Sequence, residues 1–261
     1  MTAFAQLLDQ RSVGKVRLRM TTAGVLVLRE EGSAKLRVPR GSREAILINT
    51  SGRLAGGDSL EIDVAVGPNA ELTVTSQAAE RAYRTLGPPA RISTTLKVEA
   101  GGTLAWLPQD MIMFDGSALA RNYSVNLAVG AEFFAIEAVV LGRTEMCETV
   151  QTMDLNDTWR ISREGRLLHA ENFLVSGVPP SSSATLHHAR AFATVMVMAE
   201  NAGKYLQVLR GIIGEHGGAS TWNGKLIARL YASDGFSLRK MLVQACLALR
   251  GPAGLPKMWT F

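Results

Sequence analysis

The sequence predicts a mainly β fold with sheets stacked as in a β-helix or β-solenoid, and with about two α-helices in the C-terminal third. Three observations support this prediction: alternating apolar segments punctuated by Gly and Pro, a strand–turn–strand unit that recurs, and helical spacing confined to the end of the chain. The length of 261 residues and the 47% hydrophobic content suit one all-β unit with a large core. We therefore expect a single domain over residues 1–261.

Alternating side chains predict the strands of the first half. Apolar and polar residues alternate with a period of two, which is typical of strands with one buried face. Turn-forming Gly and Pro residues separate these segments. Alternation predicts strands at 60–66 and 72–76, and the later segments 92–98, 123–127 and 133–140 also suit strands.

An internal repeat connects three of these strand pairs. Residues 66–72 align with 98–104 and again with 127–133, at spacings of 32 and 29 residues. Each copy consists of an apolar strand end, a turn of small residues and a second apolar strand. A recurring unit near this period indicates stacked β layers, either a solenoid or a long sandwich.

The C-terminal third has a different pattern. Apolar residues at helical spacing predict a helix over 202–213, which Gly214 would end. A strand over 225–231 and a second, amphipathic helix over 237–249 follow. We expect the apolar face of this last helix to pack on the core, although it is also a candidate partner surface.

Composition excludes several classes of function. The formal charge is +5, but the arginines are scattered and no basic stretch of five residues occurs, so nucleic-acid binding is not expected. No apolar run approaches the ~18 residues of a membrane helix, and the N-terminus lacks the apolar core of a signal peptide. We expect a cytoplasmic protein in which Cys147 and Cys246 are small buried residues.

No catalytic centre is recognisable. The glycine cluster at 52–57 lacks the spacing of a nucleotide-binding loop, and we interpret it as a tight turn that needs positive φ. The four histidines, His169, His187, His188 and His216, show no metal-binding spacing. If extended, adjacent His187 and His188 would point to opposite faces, so we expect surface or capping histidines and no permanent metal site.

Glu137 is the one carboxylate out of place. It is the only polar side chain in the apolar segment 133–141. A buried glutamate needs a compensating group, because an unpaired buried charge costs several kcal/mol. Two explanations stay open: an ion pair with an arginine such as Arg143, or a polar internal channel that carries cations.

Several ordered segments resemble the UreD family of urease accessory proteins. Family members carry an N-T-x-G-G-x-x-G-G-D turn before a T-T-Q-x-A-x-K-x-Y-R stretch. Here Arg53 replaces one of the glycines and Asp110 stands where glutamate is common. The matching segments are NTSGRLAGGD at 49–58, TSQAAERAYR at 75–84, LPQD at 107–110, FDG at 114–116, residues 137–142, ASTWNGK at 219–225 and LPKMW at 255–259.

The resemblance implies a β-helix-like, non-catalytic scaffold for urease maturation. Such a scaffold binds the urease apoprotein and a helical accessory protein (UreF-like), which recruits a nickel-carrying GTPase (UreG-like). It also implies that no cofactor is permanently bound and that Ni²⁺ in transit crosses an internal polar passage, for which weak oxygen ligands are suitable. The candidate passage carboxylates are Glu137 first, then Asp58, Asp63, Asp115, Glu145 and Glu171.

Two other functions compete with this reading. A free-standing β-solenoid binding module, for a polysaccharide for example, would need regularly spaced exposed aromatic side chains. An enzyme on a β-helix would need Asp and His clustered on one face. The four Trp and four Tyr have no regular spacing. Both functions are disfavoured, because the residues that each of them needs are missing.

Overall fold

Strands make up 53% of the described residues, as the sequence predicts for a mainly β fold. The computed structural model describes residues 11–143, 146, 148–182 and 185–260. The strands are β1 Val13–Thr21, β2 Gly24–Gly32, β3 Ala34–Arg37, β4 Glu44–Asn49, β5 Ser59–Val66, β6 Glu71–Ser76, β7 Glu80–Ala82, β8 Ala90–Val98, β9 Thr103–Leu107, β10 Met111–Met113, β11 Ser117–Leu127, β12 Glu132–Leu141, β13 Met153–Arg163, β14 Arg166–Gly177, β15 Ala191–Met198, β16 Gly217–Trp222 and β17 Lys225–Ala232.

These strands form two facing sheets. The first sheet has seven strands in the order β14-β13-β11-β8-β5-β1-β2. The second sheet runs β16-β17-β15-β12-β9-β6-β4-β3, with β7 and β10 attached beside β12. The central strands of both sheets are parallel, because the chain passes repeatedly from the first sheet to the second and back. This arrangement confirms the predicted solenoid-like stacking.

The internal repeat is the turn at which the chain passes from one sheet to the other. Val98 pairs with both Val66 and Leu127 in the first sheet. Leu104 pairs with both Leu72 and Phe133 in the second, as the sequence alignment predicts. The third turn residue has positive φ in every copy (Asn69, Gly101 and Gly130). Gly and Asn tolerate this left-handed conformation, so the same turn closes each layer.

Two helices cover the outer face of the second sheet. Helix α1 spans Leu206–Ile213 after a short 3₁₀ turn, and α2 spans Gly235–Arg250. Asp234 caps α2 by accepting a hydrogen bond from the Ser237 amide at 2.8 Å. The apolar face of α2, including Leu242 and Cys246, is fully buried against the sheet, which confirms the predicted core packing.

The molecule therefore has two apolar layers. One fills the space between the two sheets, and the other lies between the second sheet and the helices. No helix in the described part of the chain is long and apolar enough to cross a membrane.

Candidate functional site

A row of polar side chains crosses the apolar space between the two sheets. Strand pairing brings the members of this row to one level. In the first sheet Arg121 is in register with Asp157. In the second sheet Thr194 is in register with both Glu137 and Arg229. Glu171 and His169 extend the row along the edge strand β14. We call the following set the polar layer: Arg121, Glu137, Asp157, His169, Glu171, Thr194 and Arg229.

Glu137 lies at the inner end of the polar layer and is 7% exposed. Its Oε1 accepts hydrogen bonds from Trp106 Nε1 at 2.7 Å and from the Tyr123 hydroxyl at 2.8 Å. Its Oε2 accepts from Arg121 Nη1 at 2.7 Å. Burial raises the pKa of Glu137, and the Arg121 charge opposes that rise. Glu137 is thus ion-paired, with Arg121 rather than the Arg143 suggested by the sequence.

Arg121 joins two carboxylates. Its side chain is 3% exposed and binds Glu137 through one nitrogen and Asp157 through another. Burial opposes the charged form of Arg121, but the facing carboxylates of Asp157 and Glu137 raise its pKa, so it remains a cation. Arg143, by contrast, is half-exposed and pairs with Glu148.

The outer end of the polar layer lies at the edge of the sandwich. Glu171 Oε2 is 2.6 Å from Arg229 Nη2 and 3.4 Å from His169 Nε2. Arg229 is 49% exposed and donates a hydrogen bond to Thr194 Oγ1 at 2.9 Å. Burial acts to raise the pKa of Glu171, but His169 and Arg229 together hold it below its usual value. Each carboxylate of the polar layer is therefore paired with an arginine, because Arg121 binds Glu137 and Asp157 while Arg229 binds Glu171.

The other predicted carboxylates lie elsewhere. Asp58 closes the glycine-rich turn, where its two oxygens accept from the Ser12 and Ala55 amides at 2.8 Å. Gly52 and Gly57 in this turn have positive φ, as predicted. Asp63 is on the outer face of the first sheet in an ion pair with Arg17.

Asp115 also has a structural role at a turn. Its Oδ1 accepts from the Gln151 and Thr152 amides, and these backbone hydrogen bonds lower its pKa. Its other oxygen pairs with Arg84. Glu145 and Cys147 lie outside the described residues. Of the predicted passage residues that the structure describes, Glu137 and Glu171 lie in the polar layer, at its inner and outer ends, and the other three do not.

The histidines differ from the expectation in two places. His169, expected at the surface or at a cap, is 9% exposed and lies in the polar layer. His187 and His188 are in a turn with positive φ at both residues, not in an extended segment, and their ring centroids are 6.5 Å apart. The opposite-face argument for this pair was therefore wrong, because it assumed a strand.

Sequence reasoning missed four members of the polar layer: Thr194, Arg229, Arg121 and Asp157. For Arg121 and Asp157 a signal was available in the sequence. Both occupy inward-facing positions of their strands, between apolar neighbours such as Leu119 and Tyr123 or Leu155 and Trp159. A charged residue in the apolar phase of an alternating strand is a signal that could have found them. Glu137 was identified by a different signal, as the only polar side chain in the apolar segment 133–141.

The contacts within the polar layer are ion pairs and hydrogen bonds. Within the described ranges, no group of three or more His, Cys, Asp or Glu side chains has the geometry to hold a metal ion. Exposed large aromatic side chains are limited there to Trp222 and Phe236, on separate elements. This pair does not form the aromatic ladder that a polysaccharide-binding module would need.

Comparison with known proteins identifies the family. The profile of the family described as UreD urease accessory protein matches residues 12–260. The chain is 46% identical over 243 residues to "Urease accessory protein UreD 1" of Brucella abortus biovar 1 (strain 9-941), which covers 89% of this chain and 87% of that protein. It is 44% identical over 262 residues to "Urease accessory protein UreD" of Rhizobium leguminosarum bv. trifolii (strain WSM2304), with 98% and 92% covered. The chain therefore belongs to the UreD family of urease accessory proteins.

Proposed function

We propose that the chain is a non-catalytic scaffold of urease maturation. It binds the urease apoprotein and a helical accessory protein (UreF-like), which brings the nickel-carrying GTPase (UreG-like) into the complex. It assists delivery of Ni²⁺ to the dinuclear nickel site, with the ion crossing the polar layer. Family membership supports the accessory role, and the polar layer supports the route.

The observation that carries the route is the polar layer inside an otherwise apolar space. Burying ion pairs rarely adds stability, because the cost of removing the charges from water offsets their attraction. Well-packed apolar residues of similar volume would serve a purely structural core equally well. Burying Arg121, Asp157 and Glu137 at one level therefore gives no gain in stability over an apolar core. The proposed cation route would explain why the fold contains these charges.

The oxygen ligands of the polar layer suit an ion that must leave again. Glu171, Asp157 and Glu137 follow one another from the exposed edge to the interior. Single carboxylates bind Ni²⁺ more weakly than a cage of several imidazoles and thiolates, so the ion can move on. Glu137 is our first candidate and Glu171 the second, while Asp58, Asp63 and Asp115 are assigned to turns and surface pairs.

Complementation of a deletion strain tests this proposal. Cells with the urease and accessory genes but without this gene would be scored for urease activity and for nickel per active site. We expect apo-urease, rescued by the wild-type gene. Glu137→Gln keeps the side-chain shape and removes the charge, so it should reduce both quantities. Asp63→Asn is the matched control, because it removes a carboxylate from the outer face.

The outcomes distinguish the proposed role in urease maturation from the proposed passage of Ni²⁺ through the polar layer. Full activity and full nickel without the gene would reject the maturation role. Normal loading with Glu137→Gln, in a complex that assembles as wild type, would reject Glu137 as a passage residue. A loss with Asp63→Asn equal to that with Glu137→Gln would show that the assay senses folding or assembly and not the interior.

A further inference from the structure

An open cleft of about 500 Å³ lies on the outer face of the second sheet, beside the two helices. Its floor is one cross-strand row, in which Ala105 is in register with Phe134, and Phe134 with Val197. Leu249 near the end of α2 forms one wall, and Tyr205 just before α1 forms another. A concave, largely apolar surface of this size is typical of a binding site. We call it the acidic cleft, after the charges on its rim.

Two carboxylates lie on the rim of the acidic cleft. Glu71 and Glu132 are both in register with Thr103, one on each side of it, in the row next to the floor. With strands about 4.8 Å apart, their backbones are about 10 Å from each other, so a cation above Thr103 would be attracted by both carboxylates. None of the ion pairs of the described residues includes Glu71 or Glu132.

The two arginines that line the acidic cleft are held by other groups. Arg43 donates to two main-chain carbonyl oxygens at the end of β1, at 2.9 and 3.0 Å. Arg250 donates to Thr73 Oγ1 at 2.9 Å. Glu44, a third carboxylate of the lining, accepts from the Lys257 amide at 3.2 Å. The two outer glutamates of the rim therefore remain available to a positively charged occupant.

Helix α2 carries an exposed group of matching chemistry at its other end. Phe236 is 72% exposed, and Lys240 lies one turn further on, with Nζ 4.4 Å from the centroid of the Phe236 ring. Residues at i and i+4 of a helix are about 5–6 Å apart, and successive rows on one face of a sheet are about 7 Å apart. An apolar ring and an ammonium group at this spacing match the floor and the rim of the acidic cleft. We call Phe236 and Lys240 the basic knob.

We propose that two copies of the chain form a symmetric dimer, in which the basic knob of each copy binds in the acidic cleft of the other. The Phe236 ring packs on the apolar floor, and the Lys240 ammonium group lies between Glu71 and Glu132. The knob and the cleft are at opposite ends of α2, which has 16 residues and is therefore about 24 Å long. Two antiparallel α2 helices make the same contact twice, which closes the dimer with two-fold symmetry.

The exposed side of α2 supports this arrangement. Val243 and Leu247 continue the stripe of the basic knob along the helix, at positions i+7 and i+11 from Phe236. Leu247 is 44% exposed and Val243 is partly buried, so apolar surface follows the helix from the knob toward the cleft. Antiparallel pairing of α2 with α2 of a second copy would cover this stripe.

A helix also suits the acidic cleft better than an extended segment does. The strands β6, β9, β12 and β15 each have a neighbour on both sides within the sheet. A strand lying across their outer face would therefore gain no main-chain hydrogen bonds. The rest of this face is already covered by α1 and α2, and α2 of a second copy continues that layer. The dimer does not depend on the proposed nickel route.

Complementary variants of the purified full-length chain test this contact by sedimentation velocity at rising protein concentration. Wild type should form a dimer. Phe236→Ser removes the knob, and the double variant Glu71→Lys, Glu132→Lys reverses the charge of the rim, so each should dimerise at least about tenfold more weakly. An equal mixture of the two should form a mixed dimer, because one intact knob and one intact cleft can still meet. Leu174→Ser is the control, since it removes an exposed leucine from β14 and should change nothing.

A charge swap tests the ion pairs of the contact. Adding Lys240→Glu to Glu71→Lys, Glu132→Lys exchanges the signs of knob and rim, so the triple variant should regain the dimer. If the charge-reversed chain does not fold by circular dichroism, Glu71→Gln with Glu132→Gln replaces it and should also weaken the dimer.

Four results would overturn the proposal. The first is a wild-type chain that remains a monomer, and the second is a folded Phe236→Ser that dimerises as wild type does. The third is a mixture of the knob and rim variants that forms no dimer. The fourth is an equal loss with Leu174→Ser, which would show that the assay senses general stickiness or folding and not the knob and the cleft.

Discussion

Removal of the Arg121 charge is the sharpest test of how the polar layer is held together. Arg121→Met keeps the length and volume of the stem but leaves Glu137 and Asp157 buried without their shared cation. Removing one partner from a buried ion pair costs about 3–5 kcal/mol. For a chain of this size, roughly 2–4 °C of melting temperature corresponds to 1 kcal/mol, so we expect a drop of about 10 °C.

The stability that Arg121→Met loses relative to wild type should depend on pH, and the pKa values of the two carboxyl groups determine in which direction. Burial already raises the pKa of Glu137 and of Asp157, and Arg121 opposes that rise. Without Arg121 both pKa values rise further, above those of the unfolded chain. The folded state then binds more protons than the unfolded state, so stability falls as pH increases through and above the unfolded values near 4. The stability of the variant should be closest to that of wild type near pH 5 and furthest below it near pH 8.

Thermal unfolding followed by circular dichroism at pH 5 and at pH 8 measures both effects. The triple variant Arg121→Met, Glu137→Gln, Asp157→Asn removes all three charges and should regain most of the lost stability. Arg17→Met is the control, since an exposed ion pair contributes about 0–1 kcal/mol. A melting temperature of Arg121→Met within 2–3 °C of wild type would refute the reasoning, as would an identical deficit at both pH values.

Two further predictions concern the turn and the helix cap. Gly56→Ala would place a Cβ 1.8 Å from Thr85 Oγ1, so we expect a loss of about 1–3 kcal/mol in chemical denaturation, whereas Gly211→Ala in open space within α1 should be neutral or stabilising. Asp234→Ala removes the cap of α2 and should cost about 1 kcal/mol at pH 7. The Ser237 amide and hydroxyl groups hold the pKa of Asp234 low, so this difference should shrink as pH falls below about 4; a pH-independent difference would argue against the cap.

The sequence predicts the fold well where structure is local. The turn copies at 66–72, 98–104 and 127–133 each carry their own apolar strand ends and a residue that tolerates positive φ, so their alignment reproduces the register. The helices at 202–213 and 237–249 show their buried faces in the same way. In both cases the signal lies within a few residues of the element that it specifies.

The partners of the candidate site depend on long-range pairing and were harder to predict. Glu137 stands out because its own neighbours are apolar, yet its partner Arg121 is on the preceding strand of the opposite sheet. Arg143 was a reasonable choice from proximity in sequence, but it lies past the end of β12 and pairs with Glu148. Single-strand patterns show which charges are buried, and only the register of both sheets shows which charges meet.

On the proposed nickel route, the two arginines of the polar layer also determine where transit should be slowest. A Ni²⁺ ion brings two positive charges to carboxylates that are already neutralised, so each step inward requires a guanidinium to move away. At the edge, moving the Arg229 guanidinium costs little free energy, because this side chain is half-exposed and can reach water. Moving the Arg121 guanidinium costs much more free energy, because that side chain is buried and pairs with both Glu137 and Asp157. On the proposed route the ion would therefore enter at the edge without a partner, and its passage beyond Arg121 would require a rearrangement, which we propose that partner binding provides.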